Sequence, residues 1–134
     1  NKTALPHVTY DGQSLPWGDN TFDVTILYFV LHHCEHAEQV LAEAQRVSRR
    51  GVIIVESTYT HPLQHRLLRL LDITMNRVRS GGEMTAQETY LAFRRPAEWV
   101  RLIEQQGGEV VRVDQFGHTV HPQVLLVCRE SVIA

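Results

Sequence analysis

The stretch "FDVTILYFVL" constrains the fold of this chain most. From Val24 to Leu31, eight successive residues are apolar or β-branched. A run of that length predicts a strand buried on both faces, as in a parallel sheet sandwiched by helices. Residues 36–48 follow as a helix, with Val40, Leu41, Ala44 and Val47 on one face at helical spacing. Arg49 and Arg50 suit the negative end of its dipole, and Gly51 supplies a left-handed stop. "VIIVE" (52–56) is a second continuous apolar strand. Strand, helix and strand with short joints predict a βαβ unit, and so two parallel strands.

The flanks extend this plan. "HVTY" (7–10) is a short strand candidate, followed by a segment rich in turn formers from Gly12 to Asn20. "HPLQHRLLRLLDITMNRV" opens with Pro62 at a first-turn position. Its Leu63, Leu67, Leu71, Met75 and Val78 fall on one stripe and read as core packing. The polar stretch 79–89 is a loop or lid candidate. "RRPAEWVRLIEQQGG" reads as a helix from Pro96 to Gly107-Gly108, with Trp99 as a core anchor. "EVVRVDQF" and "QVLLVCRE" are two strands whose link, residues 117–122, is short enough to favour an antiparallel pair. His118 and His121 flank that turn and are expected in solvent.

Bulk properties narrow the class. A chain of 134 residues supports one core and one domain. The formal charge is −2 and the twelve Arg and one Lys are scattered, which speaks against nucleic acid or a membrane surface as partner. Two cysteines, Cys34 and Cys128, are too few for a disulfide scaffold. Free thiols and a reducing, cytoplasmic compartment are expected. The first residue is Asn1, not Met, and the first ten residues already read as the inside of a fold. Residues 1–134 are therefore expected to be a single, incomplete domain of a longer polypeptide.

"VLHHCEH" (30–36) gathers the reactive side chains. His32, Glu35 and His36 spell H-x-x-E-H, a zinc-peptidase signature that requires all three on one continuous helix. The β-branched run up to Leu31 puts His32 in the strand-to-helix joint instead, so no metal is expected there. A zinc hydrolase is the least favoured of three readings. Cys34 reads as a half-buried packing thiol.

The segment from "VTYDGQSLPW" through "DNTFDVTILYFVLHH" to "GVIIVES" closely resembles the middle of class I S-adenosylmethionine-dependent methyltransferases, and "AFRRPAEWVRLIEQQGGEVVRVDQF" resembles their last helix and strand. The likeness runs from about residue 7 to 130. It implies an α/β fold, a partial doubly wound, mostly parallel sheet with a terminal antiparallel hairpin. It also implies S-adenosylmethionine as cofactor and a small-molecule methyl acceptor. Asp11 and Gly12 would meet the adenine, and the backbone at Tyr28 the methionine part. A small residue is usual at that last position, so Tyr28 is a departure. His32 or His33 would act as general base, oriented by Glu56 at the end of "VIIVE". Residues 62–78 would alternatively cap the acceptor. The family's glycine-rich first turn and ribose-binding acid have no counterpart here. This favours a second reading, a non-catalytic or partner-requiring module completed by an upstream half or by a homo-oligomer.

Overall fold

The structure is a computed structural model that describes residues 6–10, 14–82 and 90–130. Four strands form one sheet: β1 (Thr25–Tyr28), β2 (Val52–Ser57), β3 (Gly108–His118) and β4 (His121–Glu130). Among the described residues three α-helices accompany them: α1 (Ala37–Arg46), α2 (Pro62–Arg79) and α3 (Pro96–Gln105). The sheet order is β1-β2-β4-β3. β1 and β2 are parallel, in register from Thr25 opposite Val52 to Tyr28 opposite Val55. β4 runs antiparallel to both β2 and β3, so three of the four strands point the same way. The fold class is the one expected, a mostly parallel α/β sheet closed by an antiparallel hairpin.

The βαβ unit forms because α1 presents Ala37, Val40, Leu41 and Ala44 to the sheet. They meet Leu27, Val52, Ile54, Leu126 and Cys128 from the strands and Trp99, Leu102 and Ile103 from α3. Gly51 has no freedom to be anything else: its φ is +137° and an added Cβ would lie 2.1 Å from the Cys128 carbonyl oxygen. Trp99 is fully buried, as an anchor should be.

Residues 14–22 pack against the end of α1. Arg46 donates to the carbonyls of Leu15 and Trp17 and to the carboxylates of Asp19 and Glu43. The Arg46 guanidinium holds the Glu43 carboxyl down at about 2, and the Leu15 amide adds to this.

Several expectations are corrected. Residues 7–10 form no strand and are largely exposed, because no strand among the described residues pairs with them. The run from Val24 to Leu31 yields a strand of only four residues at the sheet edge, with Ile26 63% and Tyr28 66% exposed. Phe29, at φ +50°, takes the chain off the strand line, and Leu31–His33 make a single 3-10 turn. The strand covered on both faces is β2.

The helical stripe of residues 62–78 is also reversed. Leu63, Leu71, Met75 and Val78 are exposed, and Leu68 is the residue of α2 that is buried. The helix turns toward Leu91 and Phe93, with Tyr59 and Ile73 packed alongside. His121 is not a solvated turn residue, since its Nε2 lies 2.9 Å from Ser57 Oγ. His118 is exposed as expected. The turn between β3 and β4 is only Thr119 and Val120. Of the 79–89 stretch, α2 takes Arg79, and residues 83–89 lie outside the described residues.

Candidate active site

The reactive cluster sits where the carboxyl ends of β1 and β2 meet. Glu56 is the last residue but one of β2 and is completely buried. The abrupt exit of the chain after Phe29 aims two backbone N–H groups back at it. Val30 and Leu31 both donate to Glu56 Oε1, at 3.0 and 2.7 Å. The other carboxylate oxygen, Oε2, lies 2.5 Å from His32 Nδ1. Both amides can only donate, so the carboxylate is the acceptor of the group, and it favours the proton of His32 on Nδ1. This leaves the Nε2 lone pair of His32 pointing away from Glu56. Phe93 stacks on the imidazole with ring centroids 4.7 Å apart, and the His32 carbonyl accepts from the Ala92 amide at 2.8 Å.

His33 follows on the same turn, its ring centroid 4.1 Å from that of His32. Its pKa is lowered, first by burial and then by the neighbouring His32. It is therefore neutral at pH 7, with a lone pair available. Asp72 reaches both histidines from α2. Its Oδ1 is 3.6 Å from His32 Nε2, and its Oδ2 is 3.8 Å from His33 Nε2. Asn76, one turn on, donates to Asp72 Oδ2 at 2.9 Å.

Of the residues singled out by sequence, the fold brings together His32, His33 and Glu56. Tyr28 sits one residue before the Phe29 turn with its side chain exposed and its ring against Phe29. Asp11 and Gly12 lie outside the described residues. The H-x-x-E-H residues do not converge. The 3-10 turn ends at His33 and α1 begins at Ala37, so no continuous helix carries them. His36 caps α1 from outside, its side chain 68% exposed and 3.7 Å from Glu38. Burial pushes the Cys34 thiol up, and Glu56 adds to this, so the thiol stays protonated at neutral pH.

Asp72, Phe93 and the Ser57–His121 pair were missed. Asp72 had a signal. It is the lone acid of an Arg- and Leu-rich helix, on the line His65, Leu68, Asp72, Asn76, spaced by three and four.

His33 also lines a cleft of about 1370 Å³ along the free side of β1. Tyr10, Trp17, Ile26, Val30 and Tyr90 contribute to its walls. The cleft runs the length of β1, from Phe22 and Val24 to His33 and Cys34, and only the His33 end lies at the carboxyl ends of the parallel strands, where open α/β sheets usually bind ligands.

Sheet order and strand direction are those of a Rossmann-like methyltransferase fold. A family model described as "Methyltransferase domain" matches residues 1–55. Among curated proteins, the ubiquinone/menaquinone biosynthesis C-methyltransferase UbiE of Cupriavidus metallidurans is 30% identical over 118 residues, 85% of this chain and 46% of that protein. Among solved structures, a methyltransferase-like protein of Bacillus halodurans superposes with a TM-score of 0.65 at 14% identity, covering 94% of this chain and 78% of that one. The magnesium protoporphyrin IX methyltransferase of Synechocystis, crystallised with bound SAH, superposes with a TM-score of 0.61 at 17% identity, covering 92% and 50%. The chain is thus related to the class I S-adenosylmethionine-dependent methyltransferases. It spans less than half the length of the curated relatives it matches, from 23% to 46%.

Proposed function

We propose that this chain forms the acceptor-side part of an S-adenosylmethionine-dependent methyltransferase acting on a small hydroxylated ring compound. The observation that carries this is the Glu56–His32–His33 arrangement at the carboxyl ends of β1 and β2, beside the cleft that His33 lines. The acceptor class comes from relatives named for ubiquinone and menaquinone biosynthesis.

The described residues fit the cofactor in part. The cleft supplies apolar walls along β1, from Val24 to Val30, and Tyr28 ends that strand. Asp11 and Gly12 are the residues proposed for the adenine. When bound, S-adenosylmethionine supplies an electrophilic methyl group. The chain's task is then to hold an acceptor hydroxyl and take its proton as the acceptor becomes nucleophilic. An acceptor in the cleft meets His33 first. Glu56 fixes the tautomer of His32 behind it. A cytoplasmic location belongs to the same proposal.

The test is methyl transfer from labelled S-adenosylmethionine to a hydroquinone panel, with His32→Ala and His33→Ala separately. Loss of the base is expected to cost roughly 10²–10⁴ in rate. Full turnover by both variants would make the histidines structural and leave catalysis to proximity.

A second reading is favoured by the open side of β1: a module that binds cofactor tightly only when another chain completes the sheet. Calorimetry distinguishes the two. Micromolar binding of S-adenosylmethionine by the monomeric chain would exclude the second reading.

A further inference from the structure

We propose that His32, His33 and Asp72 form a binding site for a first-row divalent transition cation, distinct from the H-x-x-E-H triplet with which it shares only His32. The three residues each offer a ligand atom, and these atoms all lie within 4.8 Å of one another. The separations are informative. His32 Nε2–Asp72 Oδ1 is 3.6 Å and His33 Nε2–Asp72 Oδ2 is 3.8 Å. Both exceed the roughly 2.7–3.2 Å of an N–H···O hydrogen bond. They come close to the edge of a coordination tetrahedron, about 3.4 Å for metal–ligand bonds of about 2.1 Å. Contraction by a few tenths of an ångström would bring either histidine and Asp72 onto one ion, and the two imidazoles lie within 4.8 Å of each other.

Two of the three ligands, His32 and Asp72, have behind them the groups a metal site needs. Glu56 holds Nδ1 of His32 and so turns the Nε2 lone pair toward Asp72. This is the carboxylate–histidine arrangement that orients metal-bound imidazoles. Asn76 orients the Asp72 carboxylate in the same way. Two imidazoles and one carboxylate suit zinc, cobalt or iron(II) over calcium or magnesium. Three protein ligands leave a further position open. The side chains of His33 and Asp72, 26% and 22% exposed, provide the way in. The site stands on this geometry and does not depend on methyl transfer. A bound cation would occupy the lone pair a base needs, so metal occupancy and proton uptake at the same histidine exclude each other.

The experiment is titration of the chelator-treated chain with Zn²⁺ by calorimetry and with Co²⁺ by visible absorption. One ion per chain is expected, with micromolar or tighter affinity and the intense cobalt bands of low-coordinate geometry. Paramagnetic broadening of the His32 and His33 ring resonances by Co²⁺ locates the ion without any variant. Glu56→Gln is expected to weaken binding about 10–100-fold, and Asp72→Asn and His33→Gln by more, with each variant's fold checked by circular dichroism. Absence of binding at submillimolar Zn²⁺ would overturn the proposal. So would broadening confined to His36, or a folded Asp72→Asn variant that keeps the parent affinity.

Discussion

At the scale of single residues, Glu56 is the keystone of the junction. One buried carboxylate satisfies two backbone amides and an imidazole. Removing it strands three donors, two of them in fully buried hydrogen bonds. Glu56→Ala is expected to destabilise the fold by on the order of 3 kcal/mol, read as a lower urea midpoint at unchanged slope. Glu56→Gln keeps an oxygen for the amides but turns a donor toward His32. It should cost less and move the His32 proton to Nε2, visible in the ring nitrogen shifts. Glu43 makes a different prediction. Its folded pKa of about 2 lies below the ordinary value of 4.5, so its contribution to stability is full above pH 4.5. It is lost as pH falls from there toward 2. Arg46→Ala should raise the Glu43 midpoint toward 4.5 in a carboxyl-carbon titration and flatten the stability profile over that window.

At the scale of elements, α2 shows how a sequence pattern misleads. Its apolar stripe is exposed, and the side that faces the protein carries Leu68 and Asp72 among polar neighbours. Leu68→Ala should therefore cost roughly 2–4 kcal/mol, while Leu71→Gln and Met75→Gln should shift the thermal midpoint little. The βαβ unit was legible because α1 and β2 bury continuous apolar surface, and periodicity reports burial, while β1 carries an apolar run although half of it stays exposed. The carboxylate–histidine pairing was foreseen only through the resemblance, since nothing local ties Glu56 to a residue 24 positions earlier. Asp72 stands out as the lone acid of α2, but the helix alone does not say what it faces. A helix that carries apolar residues on two sides does not say which side turns inward, and the choice is made by Leu91 and Phe93, far along the chain. The length of β1 was overread because hydrophobicity continues past Tyr28 while the backbone leaves the strand at Phe29.

At the scale of the whole molecule, β1 and β3 are the two edges of the described sheet. β1 presents unpaired backbone groups beside exposed Ile26 and Tyr28. Such an edge invites another strand. The chain is expected to self-associate with rising concentration, and Ile26→Lys should shift sedimentation toward monomer. A concentration-independent monomer before substitution would show that the edge is otherwise protected. The interior place of β4 has a consequence for synthesis. β2 gains its second neighbour only from residues 123–128, and Val52 waits for Cys128, 76 positions later. A ribosome has therefore made both helices of the core before the strand that locks them is translated. Nascent chains halted before residue 121 should be cut readily by protease, and those released after residue 130 should resist. The sheet is thus assembled late and at once, not grown strand by strand from the first one made.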